Sequence, residues 1–273
     1  MTKNANIPDI KTLRSFLIDM DGTLYIGEQP LPGSHPFIEF LQSEGISFYC
    51  LTNNSSQSAL DYAGKLVRLG FKISQEQIIT SGQIAANLLS QRHPQEAVFV
   101  VGTASLENEF TSLGVKLETH EPAYIVVGFD TGLTYEKLSR LCTHVRQGIP
   151  YYATHPDFNC PSEEGPIPDI GATLAYVEAS TGRRPDEIFG KPFPALAQVV
   201  LEKTGFQASE LGMVGDRLYT DMAMGKHGFR TILVLSGETQ RDDLFQAEQQ
   251  PDWVFEGVGE LLYALKEMRY SNS

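Results

Sequence analysis

Short apolar runs rich in β-branched and aromatic residues alternate with segments of helical periodicity, and this alternation constrains the fold more than any other feature of the chain. The runs cover residues 15–18, 46–51, 97–101, 124–127, 211–214 and 231–235. Such alternation is typical of βαβ units, in which a parallel sheet is covered by helices on both faces. The sequence therefore predicts an α/β fold.

Several of the helical segments end in a glycine followed by an apolar residue. The glycines are Gly70, Gly114, Gly205 and Gly228. Glycine adopts the left-handed conformation at a helix end without a Cβ penalty, and the next apolar side chain can fold back onto the last turn. These four positions are predicted helix ends with no functional role.

The middle of the chain is predicted to form a separate domain. Strand, helix, strand, helix and strand signals follow one another over residues 97–153, and a Pro- and Gly-rich stretch at 154–168 precedes a helix over about 169–181. A chain of 273 residues is long enough for two domains. We predict a catalytic core made of residues 1–81 and 185–273, with an inserted α/β domain at 82–184.

The charge balance narrows the class of partner. A formal net charge of −13 provides no basic surface for a nucleic-acid backbone or an anionic membrane. An anionic substrate would be repelled by the average field, so a bound cation and a few well-placed Lys or Arg side chains would have to reverse that field locally. The composition thus favours a metal and excludes nucleic acid as the expected partner.

The cysteines and the N-terminal segment bear on the compartment. Cys50, Cys142 and Cys160 are odd in number and widely spaced, which fits small apolar side chains in a reducing compartment better than a disulfide framework. The first 15 residues lack the apolar core of a signal peptide, and no run approaches the ~18 apolar residues that span a bilayer. We therefore expect a cytoplasmic protein without a membrane partner.

Acidic residues follow two of the predicted strands. The first strand continues into Asp19-Met20-Asp21-Gly22, and the strand at 211–214 leads through Gly215 to Asp216 and then to Asp221. Ligands of parallel sheets gather at the carboxyl ends of the strands, so Asp19, Asp21 and Asp216 are expected to face one crevice. Asp-x-Asp-Gly is also a common turn sequence, and Asp221 alternatively fits the favourable N-terminal end of a helix.

Polar residues at two other places could bind an anion. Thr52 and Asn53 follow the second core strand, although this segment could instead cap a helix through Asn54, Ser55 or Ser56. Lys191 precedes two prolines that suit the first turn of a helix. A lysine at the positive end of a helix is unfavourable for that helix, which points to a bound anion rather than to a solvated loop lysine.

These residue types together suit phosphoryl transfer. Carboxylate oxygens are preferred ligands of Mg²⁺, and Asp19 and Asp216 can supply them. A metal beside Asp19 would reduce the repulsion between this carboxylate and a phosphoryl group, and Lys191 would stabilise the equatorial oxygens. Asp19 could then act as a nucleophile, and Asp21 could protonate the leaving group and later deprotonate water.

Taken in order, four segments of the chain resemble the motifs of the haloacid dehalogenase superfamily of phosphohydrolases. They are Asp19-x-Asp21-Gly-Thr, Leu51-Thr52-Asn53, Gly190-Lys191-Pro192 and Gly215-Asp216-Arg-x-x-Thr-Asp221. The inserted region, with Val126-Val127-Gly128-Phe129-Asp130 and Tyr135-Glu136-Lys137-Leu138, is similar to subfamily IIA, which includes the NagD-like and p-nitrophenyl phosphatases.

This resemblance implies a doubly wound parallel-sheet core with an inserted cap domain. It also implies roles for particular residues: Asp19 as nucleophile, Asp21 as acid/base, Mg²⁺ held by Asp19, the main-chain carbonyl of Asp21 and Asp216, the phosphoryl group bound by Thr52, Asn53 and Lys191, and Asp221 supporting the metal ligands from behind. The expected substrate is a small phosphorylated metabolite such as a sugar phosphate or a nucleotide. Caps of similar proteins can mediate homodimers.

Other functions use a related fold. A dehalogenase needs neither Asp21 nor Asp216. A non-enzymatic phospho-acceptor signalling domain stays an alternative, although such domains are compact and the inserted domain and Asp21 favour catalytic turnover. A phosphotransferase or mutase differs only in the acceptor and remains an alternative. Substrate choice is expected in the cap, around residues 153–161, where His155 either recognises a leaving group or is an ordinary surface residue.

Overall fold

The computed structural model describes residues 10–162 and 165–270. Residues 1–9, on which part of the prediction of a leaderless N-terminus rests, lie outside the described residues, as do two residues of the polar stretch at 154–168. No helix in the described ranges is long and apolar enough to cross a membrane.

The strands of the described residues are numbered in chain order. They are β1 (Ser15–Asp19), β2 (Tyr25–Ile26), β3 (Gln29–Pro30), β4 (Ser47–Thr52), β5 (Ile78–Thr80), β6 (Val98–Val101), β7 (Tyr124–Val127), β8 (Tyr151–Ala153), β9 (Asn159–Cys160), β10 (Ile167–Pro168), β11 (Glu187–Ile188), β12 (Leu211–Gly215), β13 (Arg230–Val234) and β14 (Trp253–Phe255).

The α-helices are numbered in the same way. They are α1 (Ser34–Ser43), α2 (Ala59–Arg68), α3 (Ser81–Arg92), α4 (Ala104–Ser112), α5 (Tyr135–Arg146), α6 (Ile170–Thr181), α7 (Pro194–Thr204) and α8 (Val258–Tyr270). Short 3₁₀ helices occur at Ile10–Thr12, Gln75–Gln77, Ala208–Glu210, Met222–His227 and Arg241–Gln246.

The chain folds into two compact units. The first unit contains the described residues of 10–51, 66–77 and 197–270, and the second contains those of 52–65 and 78–196. Neither unit is therefore built from one continuous segment. The predicted domain boundaries at 81/82 and 184/185 stay a prediction.

Strand β1 is the central strand of the first unit. It pairs in parallel with β4 on one side and with β12 on the other, and β12, β13 and β14 continue the parallel arrangement. All five residues of β1 are buried, as expected for a strand covered on both faces. The same unit packs α1 against α8.

The second unit has a parallel sheet of its own. Its strands lie in the order β11-β8-β7-β6. Helices α5 and α6 pack against each other, and they contribute Leu141, Val145 and Val177 to a core that includes Val127 and Tyr151 of the sheet. The short strands β9 and β10 form a separate antiparallel pair.

These observations confirm the predicted α/β class and most of the predicted elements. Each of the six apolar runs contains a strand, and the helix predicted at about 169–181 is α6. The four glycines predicted to end helices all have positive φ, between 67° and 88°. The suggested N-caps Asn54, Ser55 and Ser56 are wrong, because α2 begins at Ala59 and the Ser58 hydroxyl accepts a hydrogen bond from the Asp61 N–H.

Candidate active site

Asp19 is the last residue of β1, and its position follows from the pairing of that strand. Asp19 lies opposite Leu51 of β4, and the preceding Ile18 lies opposite Val214 of β12. The residue is buried, with 9% of its surface exposed. The carboxylate is thus carried at the carboxyl end of the central strand, where ligands of parallel sheets bind.

Asp21 lies in a tight turn directly after β1. The carbonyl of Met20 accepts hydrogen bonds from the N–H groups of Thr23, Leu24 and Tyr25, and the Gly22 N–H donates to the Tyr25 carbonyl. The Tyr25 hydroxyl lies 3.4 Å from Asp21 Oδ2. Asp21 is partly exposed.

Asp216 follows β12 and is 1% exposed. Its Oδ2 accepts a hydrogen bond of 2.7 Å from the Glu238 N–H. A Cβ on Gly237 would lie only 2.0 Å from the same oxygen, and a Cβ on Gly22 would lie 2.5 Å from it. Backbone therefore approaches this carboxylate from two sides and restricts its orientation.

Asp221 completes a group of three acids. Ligand oxygens of Asp19, Asp216 and Asp221 all lie within 4.8 Å of one another. Asp221 is fully buried, and its Oδ2 accepts a hydrogen bond of 3.1 Å from the Arg217 N–H. Three buried carboxylates repel one another in the absence of a cation, and an all-oxygen set of this kind suits Mg²⁺ or Ca²⁺. The group fits a divalent metal ion.

The negative charge of Asp19 affects the pKa of a cysteine in the neighbouring strand β4. Burial raises the pKa of the Cys50 thiol in β4 far above its ordinary value, and the negative charge of Asp19 raises that pKa further. Arg217, which follows Asp216 in the chain, forms an ion pair of 2.9 Å with Glu238.

The predicted anion-binding residues belong to the second unit. Thr52 is buried at the end of β4, and its hydroxyl accepts a hydrogen bond of 3.1 Å from the Asn54 N–H. Asn53 and Lys191 lie together: the Lys191 N–H donates to Asn53 Oδ1 over 2.7 Å, and Asn53 Nδ2 donates to the Lys191 carbonyl over 3.0 Å. Lys191 is only 2% exposed, which excludes the alternative of a solvated loop lysine.

His155 is buried, so its interpretation as a surface residue is wrong. Its Nε2 lies 3.1 Å from Asp169 Oδ1 and its Nδ1 lies 3.0 Å from Thr154 Oγ1, while Thr154 Oγ1 lies 2.8 Å from Ser55 Oγ. The carboxylate of Asp169 only accepts, so His155 Nε2 donates to it. Ser55 Oγ accepts a hydrogen bond of 2.9 Å from the Phe129 N–H, so the hydroxyls of Thr154 and Ser55 link the imidazole ring to the backbone of Phe129.

Two groups of residues that contact the candidate site residues lie outside the sequence motifs. Asp157 and Asp169 bind Asn53 and His155 respectively, yet each is a single acid in a polar stretch. Gly237 and Glu238 contact Asp216 from a segment without any recognisable motif. Of these four residues, only Asp157 lies in a stretch that the sequence singled out, because residues 153–161 were expected to determine substrate choice.

Comparisons with known proteins identify the family of the chain. A family model described as haloacid dehalogenase-like hydrolase matches residues 16–116, and a second, HAD-hydrolase-like, model matches residues 188–261. An acid sugar phosphatase of Staphylococcus epidermidis is 33% identical over 260 residues, which cover 94% of this chain and all of the relative. The chain belongs to the haloacid dehalogenase-like hydrolases.

Solved structures of this family resemble the chain over nearly its whole length. A 4-nitrophenylphosphatase from Thermotoga maritima has a TM-score of 0.89 and 45% identity, with 93% of this chain and 98% of that chain covered. NagD from Escherichia coli has a TM-score of 0.83 and 29% identity, with 91% and 98% covered. The resemblance to the superfamily that the four motifs indicated, and to the NagD-like subfamily IIA that the inserted region indicated, is therefore confirmed.

Proposed function

We propose that this haloacid dehalogenase-like hydrolase is a Mg²⁺-dependent phosphatase that acts on small phosphate monoesters through an aspartyl-phosphate intermediate. The observation that carries the proposal is the placement of Asp19 at the end of β1, with its carboxylate oxygens close to those of Asp216 and Asp221. A buried carboxylate in such a group is both a nucleophile and a potential metal ligand.

The metal would be held by Asp19, the main-chain carbonyl of Asp21 and Asp216, with Asp221 supporting these ligands. When bound, Mg²⁺ would supply positive charge that offsets the repulsion between the acids and an anionic phosphoryl group. The tight backbone contacts around Asp216 support this assignment, because they hold one carboxylate in a fixed orientation without a long side chain in the way.

The chemistry of the residues themselves divides into two half-reactions. In the first, an Asp19 oxygen attacks phosphorus, the bond from phosphorus to the ester oxygen breaks, and Asp21 donates its proton to the leaving alkoxide. In the second, Asp21 takes a proton from a water molecule that attacks phosphorus, which releases inorganic phosphate and regenerates the Asp19 carboxylate. Asp21 thus begins and ends the cycle protonated.

The phosphoryl oxygens would be bound by Thr52, Asn53 and Lys191. The burial of Lys191 supports this role, because a cation in a surrounding of low dielectric attracts an anion beside it more strongly than a solvated cation does. A small phosphorylated metabolite, such as a sugar phosphate or a nucleotide, is the proposed substrate. The names of the relatives, an acid sugar phosphatase and a nitrophenyl phosphatase, support a compact monoester.

The experiment that tests this function is hydrolysis of p-nitrophenyl phosphate and a panel of sugar phosphates and nucleotides, with Mg²⁺ and with excess chelator. We expect metal-dependent release of inorganic phosphate that is lost in Asp19→Asn and slowed by roughly 10²–10⁴-fold in Asp21→Asn. Folded protein that releases no phosphate to water, but transfers it to an added alcohol or sugar, would replace hydrolysis with phosphotransfer. Undiminished turnover in Asp19→Asn would remove the nucleophile from its role.

A further inference from the structure

The side-chain amide of Asn53 is fully committed to contacts within the second unit. Its Nδ2 donates to Asp157 Oδ1 and to the Lys191 carbonyl, each over 3.0 Å, and its Oδ1 accepts from the Lys191 N–H over 2.7 Å. An amide group has two N–H donors and one oxygen. Both donors are therefore used inside the protein, and the oxygen faces a backbone donor.

The orientation of this amide is determined by its surroundings. The oxygen faces an N–H group, and the nitrogen faces two acceptors, one of them the carboxylate of Asp157. The opposite orientation would place two donors together at the Lys191 N–H and two acceptors together at Asp157. Asn53 and Asp157 are 5% and 4% exposed, so bulk water could not compensate the unpaired groups of the opposite orientation at low cost.

We propose that Asn53 is a positioning residue: its side chain holds the backbone of Lys191 in place, and Asp157 fixes the orientation of the Asn53 amide. The side-chain amide then acts on the phosphoryl group through Lys191, so within the proposed set of Thr52, Asn53 and Lys191, Asn53 has only its main chain left for direct binding. This inference rests on the proposed function only for the role of Lys191, since the three hydrogen bonds are independent of any substrate.

Gly190 supplies a second observation for the same device. A Cβ at this position would lie 2.6 Å from Asn53 Oδ1 and 2.8 Å from the Thr154 carbonyl. Contacts as short as these are excluded for real Cβ atoms, so the backbone just before Lys191 approaches the amide as closely as a glycine allows. The fit explains why a glycine precedes the lysine.

A fixed backbone matters for a lysine in particular. Its ammonium group is carried on a flexible four-carbon stem, and hydrogen bonds to the N–H and carbonyl of Lys191 fix the backbone position from which that stem starts. Misplacing a catalytic charge by about 1 Å can lower a rate by about 10²-fold. The Asn53 amide is therefore expected to affect turnover strongly.

The first test is a double-mutant cycle measured as kcat/KM for p-nitrophenyl phosphate with Mg²⁺. We expect a loss of about 10–10²-fold in Asn53→Ala, a larger loss in Lys191→Ala, and a loss in the double variant no greater than about twice that of Lys191→Ala alone. Losses that multiply would show that Asn53 contacts the substrate independently and would overturn the proposal. Asn87→Ala, the same change at an exposed position of α3, is the matched control and should stay within about twofold of wild type.

An exchange of the two side chains tests the part assigned to Asp157. Asn53→Asp sets a carboxylate against another carboxylate and against a carbonyl, and we expect a large loss of kcat/KM. Adding Asp157→Asn restores a donor between the two positions, so the double variant should recover at least about tenfold relative to Asn53→Asp alone. An unchanged loss would exclude Asp157 as the partner that orients the amide.

A stability cycle separates this inference from the proposed function. The unfolding equilibrium constants of Asn53→Ala, Asp157→Ala and their combination, measured in urea, should show a coupling of about tenfold. If wild-type protein hydrolyses no phosphate ester but this coupling is found, the proposed function fails and the Asn53–Asp157 contact stands. A coupling factor near one would overturn the inference whatever the enzyme catalyses.

Discussion

At the scale of single residues, the carboxylate of Asp216 depends on the absence of side chains around it. A Cβ on Gly237 would lie 2.0 Å from its Oδ2, so Gly237→Ala must displace the carboxylate or the loop. We expect a fall in kcat/KM of about 10²-fold, because reacting groups tolerate little misplacement.

Gly257→Ala is the matched control for this change. Its added Cβ would meet only the Cβ of Ser236, at an ordinary 3.9 Å, so its kcat/KM should stay within about twofold of wild type. Steady-state kinetics with p-nitrophenyl phosphate check both variants. Equal activity of Gly237→Ala and Gly257→Ala would mean that the position of Asp216 is not critical.

The cysteines give a prediction about pH. Burial and Asp19 raise the pKa of the Cys50 thiol, and only the thiolate attacks a disulfide reagent. Cys50 should therefore stay protonated and unreactive between pH 7 and pH 9, whereas Cys160, which is partly exposed, should react faster as the pH rises.

Titration of folded protein with a chromogenic disulfide checks this expectation. It should give one thiol in native protein and three after unfolding in guanidinium chloride, because Cys142 is also buried. Cys160→Ser should lose the native reaction. A second fast equivalent in native protein would contradict the burial of Cys50 and Cys142, which so far agrees with their prediction as small apolar core residues.

Candidate site residues that come directly after a predicted strand could be predicted from the sequence. Residues whose surroundings depend on partners far along the chain could not. Asp19 and Asp216 were found from their positions after apolar runs, and both lie at strand ends in the structure. His155 gave no usable signal, because its burial depends on Asp169 fourteen residues later and on Ser55 a hundred residues earlier. A lone histidine in a polar stretch cannot report such partners.

At the scale of elements, the α5 helix offers a clean test of local sequence. Thr134 is its N-cap, and the hydroxyl accepts a hydrogen bond from the Lys137 N–H over 3.2 Å. Thr134→Ala should lower the free energy of unfolding by about 1 kcal/mol, because one N–H of the first turn loses its acceptor.

Thr134→Ser keeps the accepting oxygen and should remain within about 0.5 kcal/mol of wild type. Urea denaturation followed by circular dichroism measures both changes. A loss in Thr134→Ser as large as that in Thr134→Ala would assign the effect to the methyl group instead of the cap.

Among the strands of the described residues, those that the sequence did not predict are short. β5 and β14 have three residues each, and β9 and β10 have two each within a stretch that was expected to be irregular. Two or three residues are too few to show the alternation of apolar and polar side chains that predicts a strand. β5 is also followed at once by α3, so no turn residues mark its end. Longer runs bounded by glycines were predicted well, because apolar pattern and helix-ending signals agreed.

At the scale of the whole molecule, the acidic balance gives a testable link between metal and stability. The first unit brings together three buried acids in a chain of net charge −13. Mg²⁺ that binds the folded protein at about 100 times its Kd should raise the free energy of unfolding by about 2.7 kcal/mol.

Thermal unfolding with Mg²⁺, compared with K⁺ at equal ionic strength, measures this increment. It should be lost in Asp216→Asn and kept in Asp242→Asn, which removes an exposed acid of the same unit. An increment that survives in Asp216→Asn would place the metal elsewhere. The predicted domain boundaries stay predictions at this scale, and the sequence does not decide whether the cap mediates a homodimer as caps of similar proteins can.

The segmented make-up of the two units also fixes the order in which a ribosome can complete them. Every residue of the second unit has been synthesised by position 196, whereas β1 must wait for β12, which begins at Leu211. During translation the second unit can therefore collapse while the strand that carries Asp19 still lacks one of its two neighbours. Asp19 and Asp216 meet only when more than three quarters of the chain has been made, so a nascent chain interrupted before that point would have no assembled acid group.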